Sequence, residues 1–412
     1  MPLSLPRSLR VVAAVVLAPV LALAGLLTSS CAYAQKITPQ FWGLHAADWS
    51  AVPDDLPVGS ANFTTVGTYW PAIQTGPSTF DWSRLDAQVA AARAHGAQPM
   101  IILGQTPKFF SPKPRRTDST AYMPTSIGAW KSYVTKVAQR YGSRLDYQIW
   151  PEPNIVQNWQ GTPRQMATLT MVASKAIKGV NRRAKVVSPA VALRLSQQRK
   201  WMTAYFKQKV GGKGVAAYVD AVAIDPFPAQ KGTPEDSYKV MTAARAQLAA
   251  LRVRKPLWNN EINYGVAGGG AATRTRYPVA KQQSYVIRTY ALSAAARAQR
   301  TYWLGWFHSP QLAINMADDN GRELAPGKSY EVVRSWLNGT SFVGCAKQKS
   351  GLWTCTAKKG RSEVRRIFWK PSGSTIITTP RSTKRVENQS GAHLTGRRIK
   401  VTFKPIMVAS AK

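Results

Sequence analysis

The chain alternates short apolar runs with amphipathic stretches eight times between Phe41 and Asn338. Apolar runs of this length are typical of strands, and hydrophobic residues at helical spacing fill most of the intervals between them. Because a helical crossover returns a chain to the start of the next parallel strand, the alternation predicts a parallel sheet. The predicted strands are 41–44, 63–69, 98–103, 145–150, 185–188, 221–224, 256–260 and 301–306.

Helices are predicted between these strands. Their ranges are 82–95, 127–141, 163–181, 197–209, 234–251, 280–298 and 329–337. Eight units in about 300 residues fit a closed barrel better than an open doubly wound sheet. The open sheet would also be expected to show a glycine-rich phosphate loop after its first strand, and none follows Phe41. The predicted fold class is therefore α/β, a (β/α)8 TIM barrel covering residues 35–339.

Residues 1–34 have the composition of a secretory signal peptide. Arg7 and Arg10 precede an apolar run, 11–27, and small residues follow it up to Ala34. This is the order of charge, apolar stretch and cleavage site in exported precursors. We expect a secreted protein without stable membrane insertion after cleavage. An uncleaved anchor is the alternative, because the run is nearly long enough to span a bilayer.

The composition changes after Gly339. Residues 341–412 contain 16 Lys or Arg against two acids, and their β-branched runs are separated by turn residues. The pattern predicts a small basic β-sandwich-like domain at 340–412. Signal cleavage would leave Cys345 and Cys355, an even pair that predicts a disulfide in an exported chain. Two free buried thiols are the alternative.

Basic residues outnumber acidic ones throughout the chain, 56 to 19, and the formal charge is +37. Such a field concentrates polyanions, which favours an anionic or wall-associated glycan as the partner and a location at the cell wall. The alternative is that the charge only keeps an exported protein soluble. No recognised nucleic-acid-binding motif accompanies the charge, so no nucleic acid is expected.

Two of the seven glutamates stand where predicted strands end. Glu152 lies between Pro151 and Pro153 after the fourth strand, and Glu261 follows the seventh. Because the chemistry of a (β/α)8 barrel sits at the carboxyl ends of its strands, the two side chains are expected to face each other. Two carboxyl groups are the minimum for cleaving a glycosidic bond, where one protonates the leaving oxygen and the other attacks the anomeric carbon.

Four stretches carry a family resemblance: 76–86, with its D-W-x-x-L-D pattern, 96–107, 147–159 and 258–265. Together they resemble the (β/α)8 retaining glycoside hydrolases of clan A, closest to the family 39 and family 5 type. The resemblance implies an O-glycosyl hydrolase that works by double displacement. It also implies Glu152 as general acid/base and Glu261 as nucleophile.

Three departures from the family pattern leave an alternative open. Pro151 stands where the family usually has an asparagine that donates to the sugar 2-hydroxyl, and proline has no such donor. Asp225-Pro226-Phe227 replaces a His-x-Tyr sequence, and the second strand lacks the arginine commonly found there. The alternative is a catalytically silent carbohydrate-binding or wall-associated protein on the same fold.

Several further residues are candidates for binding the sugar. Trp303 is predicted to be the platform under the reacting sugar, with a core tryptophan as the alternative, and Asp225 is either a sugar-hydroxyl acceptor, a partner that tunes Glu261, or only a turn residue. Asn154 either contacts substrate or holds the loop of Glu152. Weaker candidates lie on predicted rim loops: Trp70, Trp159 and Tyr264. Arg274 and Arg276 follow the seventh strand and could recognise an anionic group.

Other reaction classes have little support in the sequence. The four histidines are not at ligand spacing and no C-x-x-C pair occurs, so we expect no metal. A Ser-His-Asp hydrolase would show a G-x-S-x-G elbow, which is absent from the sequence. We expect no cofactor either.

Overall fold

Eight parallel strands form a barrel in the computed structural model, which describes residues 34–268 and 270–412. The strands are β1 (Trp42–His45), β2 (Ser60–Asn62), β3 (Gln98–Ile102), β4 (Asp146–Gln148), β5 (Lys185–Val187), β6 (Val222–Asp225), β7 (Leu257–Ile262) and β8 (Ala298–Trp303). Each pairs with its neighbour in chain order, and β8 pairs with β1. A bridge between Val187 and Ala221 joins β5 to β6 and closes the ring. The predicted TIM barrel is confirmed.

Eight α-helices occur among the described residues. They are α1 (Trp70–Ile73), α2 (Ser83–Ala94), α3 (Ile127–Tyr141), α4 (Pro163–Val180), α5 (Ser196–Phe206), α6 (Pro234–Ala250), α7 (Val279–Ala295) and α8 (Ala325–Leu337). Single 3-10 turns lie at Pro39–Phe41, Trp49–Ala51, Lys108–Phe110, Ser119–Ala121, Gly142–Arg144 and Val215–Tyr218. No helix in the described part of the chain is both long and apolar enough to cross a membrane. The predicted signal peptide lies outside the described residues, apart from Ala34.

The predicted second strand, 63–69, is wrong. The strand is Ser60–Asn62, and the chain turns directly after it. The Asn62 side-chain oxygen accepts hydrogen bonds from the backbone N–H of Thr64 (2.9 Å) and from its hydroxyl (2.8 Å). Asparagine forms such turns readily. The β-branched residues that follow Phe63 therefore lie in a loop despite their strand propensity.

The barrel interior is filled from alternating strand positions. Met100, Val187, Ala223, Trp258 and Tyr302 form one buried cluster, contributed by β3, β5, β6, β7 and β8. A much larger cluster lies between the strands and the surrounding helices. Because side chains alternate between these two clusters along each strand, their positions show which strand residues point into the barrel.

The C-terminal region is a six-stranded antiparallel sheet with a two-stranded sheet beside it. The six-stranded sheet contains Gln35–Lys36, β9 (Ser341–Lys347), β10 (Trp353–Lys359), β11 (Glu363–Trp369), β13 (Thr383–Asn388) and β15 (Ile406–Ala411). The smaller sheet pairs β12 (Thr375–Thr378) with β14 (Arg398–Val401). Apolar residues from both sheets form a separate cluster. The predicted barrel range thus begins with two residues that pair with β9.

Two further short pairs of strands complete the structure. Val191–Ala192 pairs with the end of β6, and Lys209–Val210 pairs with Lys213–Gly214. In the C-terminal sheet, Cys345 of β9 lies directly opposite Cys355 of β10, and the two form a disulfide. The predicted cysteine pairing is confirmed.

Candidate active site

Glu152 lies in a tight loop beyond the end of β4. Its φ angle is 34°, a left-handed conformation that residues with a side chain rarely adopt. The flanking Pro151 and Pro153 restrict the chain on both sides, and a residue before proline disfavours the right-handed helical region. A strained conformation of this kind persists only where the surrounding structure enforces it, and such residues cluster at functional sites.

Asn154 holds this loop in place. Its side-chain nitrogen donates to the carbonyls of Ala192 (2.7 Å) and Gln198 (3.3 Å), and its oxygen accepts from the N–H of Ala192 (3.2 Å). Both N–H donors of the amide are therefore used within the protein. These contacts favour the alternative that Asn154 positions the Glu152 loop, and a contact between Asn154 and substrate stays a prediction.

Glu261 is turned toward the barrel mouth by a β-bulge. Asn259 pairs with Thr301 and Ile262 with Trp303, so two residues of β7 lie opposite the single residue between them on β8. Strict alternation would direct Glu261 toward the helices, on the same side as Asn259, which bonds Ser293 of α7. The extra residue lets Asn260 and Glu261 both face inward, as bulges near active sites commonly do.

Glu152 and Glu261 interact electrostatically across the mouth. Burial raises the pKa of Glu152 to about 7, while the positive charge of Arg194 opposes this shift. Burial also raises the pKa of Glu261 to about 8; repulsion from Glu152 adds to the shift and a hydrogen bond from Thr64 opposes it. Because each negative charge disfavours the other, the pair holds a single proton near neutral pH.

Asp225 adds a third buried carboxyl group at the end of β6. Burial raises its pKa well above the usual range, and Glu261 and then Glu152 raise it further. Its Oδ1 accepts a hydrogen bond from Asn260 (3.2 Å), whereas its buried Oδ2 has no partner in the described part of the chain. This environment favours the protonated form of the carboxyl group, which can donate a hydrogen bond.

A polar network that the sequence did not reveal surrounds the carboxyl groups. The Asn62 amide donates to the Asn260 side chain (3.1 Å), and His45 contacts the Asn260 carbonyl (2.9 Å). Burial lowers the pKa of His45 to about 4, so its ring is neutral. Asn62 and His45 are each the last residue of a barrel strand, and this position is the sequence feature that could have identified them as site residues.

Tyr69 and Arg194 complete the surroundings. The pKa of Tyr69 is raised by burial and then by Glu261, Glu152 and Asp225, which places its hydroxyl within the influence of all three carboxyl groups. Arg194 acts on Glu152 and donates to the Val266 carbonyl (3.4 Å). Both residues lie on loops, and neither was among the predicted site residues.

Trp303 does not form the predicted platform. Tyr302 faces the barrel interior, so Trp303 faces the helices, where its side chain is 0% exposed and lies 6.1 Å from the Tyr264 ring. Stacking on a sugar requires an accessible ring face. The prediction is therefore wrong, and its alternative, a core tryptophan, describes the residue.

The other predicted aromatic contacts are buried as well. Trp70 stacks on Tyr133 with ring centres 4.9 Å apart, and Trp159 packs edge-on against Trp150 at 5.0 Å. The Tyr264 hydroxyl is bonded to Thr289 at 2.6 Å. The prediction that Trp70, Trp159 and Tyr264 contact the sugar is wrong, because their buried side chains supply contacts that hold the helices on the barrel.

A cavity of about 280 Å³ borders this constellation. His45 and Thr65 form one side of it, and Trp306, Phe307 and His308, which follow β8, form another. His45 also contacts Asn260, so the cavity adjoins the polar network around the carboxyl groups. Polar groups and aromatic rings together are the usual lining of a ligand cavity.

Several solved structures with a similar fold are described as glycoside hydrolases. A family 39 glycoside hydrolase from Bacteroides cellulosilyticus WH2 has a TM-score of 0.69 and 14% identity, over 92% of this chain and 83% of that one. A monomeric β-xylosidase from Caulobacter crescentus CB15 has a TM-score of 0.64 and 14% identity, over 92% and 98%. A family 39 enzyme from Xanthomonas axonopodis pv. citri has a TM-score of 0.59 and 14% identity, over 92% and 96%.

The resemblance to clan A barrels is thereby confirmed for the fold. No protein-family model matches the sequence, and no curated protein matches it. At these identities the structural likeness extends to the fold and not to the chemistry, because one barrel architecture supports many reactions. The chemistry of the site therefore depends on the carboxyl groups themselves.

Proposed function

We propose that the protein is an exported retaining glycosidase that cleaves O-glycosidic bonds of a poly- or oligosaccharide. Glu152 is the general acid/base and Glu261 the nucleophile. The observation that carries the proposal is the pair of interacting, partly buried carboxyl groups at the ends of β4 and β7, with pKa values raised to about 7 and about 8. Perturbed carboxyl groups of this kind are characteristic of catalytic sites.

The first chemical step needs one carboxylate and one carboxylic acid. The Glu261 carboxylate attacks the anomeric carbon, the bond to the leaving oxygen breaks, and Glu152 transfers its proton to that oxygen. In the free protein burial favours the proton on Glu261. A sugar hydroxyl that donates to Glu261 stabilises the ionised form, so the shared proton moves to Glu152 when substrate binds.

The second step reverses these roles. Once Glu261 is bonded to the sugar its negative charge is gone, so it no longer opposes the ionisation of Glu152. Glu152 then accepts a proton from water while the water oxygen attacks the anomeric carbon and releases Glu261. The product keeps the anomeric configuration of the substrate because the carbon is inverted twice.

Asp225 supports the same chemistry as a neutral group. Its protonated carboxyl can donate a hydrogen bond from Oδ2 to a sugar hydroxyl or to Glu261, without adding a third negative charge to the site. The Asn260 amide fixes its other oxygen. This role is the tuning function predicted for Asp225, supplied from the position where the family pattern has a histidine.

A screen of the purified mature chain against aryl glycosides and wall polysaccharides tests the proposal. We expect hydrolysis by the parent and its loss in Glu261→Gln. Glu331→Gln is the matched control, because Glu331 lies exposed on α8. Activity that survives Glu261→Gln would refute the assignment of the nucleophile. NMR of the first-formed product should show retained configuration.

A second candidate is a carbohydrate-binding protein without catalysis. Pro151, Phe227 and the burial of every predicted aromatic contact favour it. Glycan affinity distinguishes the two candidate functions, because a protein without catalysis would bind glycan equally well as the parent and as Glu152→Gln. It would also show no hydrolysis after prolonged incubation.

A further inference from the structure

A second cavity, of about 570 Å³, opens at the carboxyl end of the barrel. Its walls come from the loop after β6, the loop after β7 and the first turn of α7, and they include Lys231, Arg274, Arg276, Tyr277 and Lys281. We call it the basic cleft. Because Glu261 lies at the end of β7, the β7–α7 loop leads from the nucleophile directly to the arginines of the cleft.

The basic cleft contains positive charge without matching negative charge. No aspartate or glutamate lines it. Among residues 34–268 and 270–412, none of the ion pairs involves its four cations. Like charges gathered in one concavity repel each other and produce a local field that attracts anions. An anionic ligand would remove this repulsion.

Some of these groups are held in position rather than free in solvent. One terminal nitrogen of Arg276 donates to the carbonyls of Thr273 (2.9 Å) and Thr275 (3.1 Å). The Lys281 ammonium lies 4.7 Å from the centre of the Tyr277 ring. The Tyr277 hydroxyl is buried and has no partner among the described residues. Fixed donors bind a ligand at a lower entropic cost than mobile ones.

The basic cleft is connected to the carboxyl groups and to the C-terminal sheet. Arg194, which interacts with Glu152, donates to Val266 in the same β7–α7 loop that carries Arg274. On the other side, Gln389 donates to the Ala280 carbonyl in the first turn of α7 (3.0 Å). These hydrogen bonds place the loop that carries Arg274 beside Arg194 of the candidate active site and the start of α7 beside the C-terminal region.

We propose that the basic cleft binds the anionic substituents, whether carboxylate, sulfate or phosphate, of a polyanionic glycan whose backbone lies at Glu152 and Glu261. Arginine guanidinium groups match the planar geometry of such anions and bind them through paired hydrogen bonds. The glycan part of this inference rests on the proposed function. Binding itself does not require cleavage, so the two can be tested separately.

The test compares two double variants that remove equal charge. Arg274→Gln/Arg276→Gln alters the cleft, and Arg182→Gln/Arg183→Gln alters two exposed arginines that precede β5, at the opposite end of the barrel. Both are made with Glu261→Gln to prevent turnover. Affinities are measured by calorimetry at about 0.15 M salt for polygalacturonate, dextran sulfate, poly(glycerol phosphate), neutral xylan and duplex DNA.

We expect the cleft variant to bind at least one of the three anionic polymers about tenfold more weakly or worse, because each charge-assisted hydrogen bond is worth more than the 1.4 kcal/mol that a factor of ten represents. The affected polymer identifies the substituent. The control variant should change by less than about twofold, and xylan affinity should be the same in both.

Three results would overturn the inference. Equal weakening in both double variants would show that only the overall charge matters, unchanged affinity in the cleft variant would show that it makes no contact, and an effect confined to DNA would identify a different ligand. Cleavage of neutral glycans without the expected binding would refute this inference and leave the proposed glycosidase standing. The expected binding without any hydrolysis would refute the proposed glycosidase and leave this inference standing.

Discussion

The two ends of the barrel bury their ionisable groups in opposite ways. At the amino end, Asp146 of β4 is paired with Arg300 of β8 at 2.6 Å, and the two side chains are 4% and 3% exposed. Arg300 also lies 3.9 Å from the Trp258 ring centre and donates to the Tyr302 hydroxyl. At the carboxyl end, none of the ion pairs among the described residues involves Glu152, Glu261 or Asp225.

The same strand thus begins at a neutralised carboxylate and leads to an unpaired one. A buried carboxyl group without a neighbouring cation has a raised pKa, and its ionisation destabilises the folded state. The amino end of a (β/α)8 barrel is free to serve stability, whereas the carboxyl end carries the chemistry. The unpaired acids at the carboxyl end therefore lower the stability of the folded state in favour of function, whereas the paired acid at the amino end does not.

The largest effect expected from this comparison is on catalysis. Glu261→Gln should reduce kcat/KM by about 10⁴-fold or more, because the substitution removes the attacking oxygen. Glu152→Gln should reduce it by about 10²- to 10⁴-fold with poor leaving groups and much less with activated aryl groups, which need little protonation. Equal losses of activity on both kinds of substrate would contradict the role of Glu152 as the acid.

At the amino end the expected loss is in stability. Asp146→Asn should lower the free energy of unfolding by about 3–5 kcal/mol, because it leaves the buried Arg300 unpaired. The double variant Asp146→Leu/Arg300→Met should lose less, since both charges are removed. Urea denaturation gives the stability, and kcat/KM per folded molecule should stay at the parent value. A catalytic defect in the folded fraction would mean that the two ends are not independent.

The stability of the protein should depend on pH through Glu261 at the carboxyl end of the barrel. The pKa of Glu261 is raised to about 8 in the folded state. Its contribution to the free energy of unfolding is therefore fully present below the pKa that Glu261 has in the unfolded state, and it is lost as the pH rises through 8. Glu261→Gln should therefore stabilise the protein at pH 9 by about 5 kcal/mol relative to the parent and by almost nothing at pH 4. Thermal unfolding at the two pH values measures this, and a constant difference would contradict the raised pKa.

The activity profile should follow the same pair. Catalysis needs one proton on the two carboxyl groups, so kcat/KM should be bell-shaped, falling on the acid side of about 7 and on the alkaline side of about 8. Glu152→Gln should flatten the alkaline limb measured with activated substrates. A parent profile that is level from pH 5 to 9 would show that the pair does not titrate as described.

The smallest effect is expected from Asp225→Asn. A neutral Asp225 already lacks charge, and asparagine can still accept the hydrogen bond from Asn260, so kcat/KM should fall less than about tenfold and the pH limbs should barely move. If Asp225 were instead ionised, its removal would lower the pKa of Glu261 and shift the acid limb to lower pH. The measured limb therefore distinguishes the two states.

Much of the barrel could be predicted because it depends on local patterns. Helix α3 occupies the predicted range 127–141, and Thr162 caps α4 through a side-chain bond to Gln165. The failure at β2 has a local cause too, since the Asn62 side chain ends the strand before its β-branched residues. Propensity alone does not reveal which of two competing local structures the rest of the chain will support.

The candidate site was predictable only in part. Glu152 and Glu261 could be singled out because strand ends and flanking prolines are visible in the sequence. The burial of Trp303, Trp70, Trp159 and Tyr264 could not, because whether a rim aromatic faces solvent or a neighbouring helix depends on packing across distant segments. The influence of Tyr69 and Arg194 on the carboxyl groups is likewise a contact between loops far apart in sequence.

The sequence by itself determined the eightfold βα repeat, the basic character of the chain, the cysteine pair and the positions of two glutamates at strand ends. Only the tertiary structure decided where those glutamates point. The bulge at Asn260 and Glu261 arises from the register between β7 and β8, and the raised pKa values arise from burial among side chains brought from six different strands and loops. Both are properties of long-range packing, which periodicity along one segment does not contain.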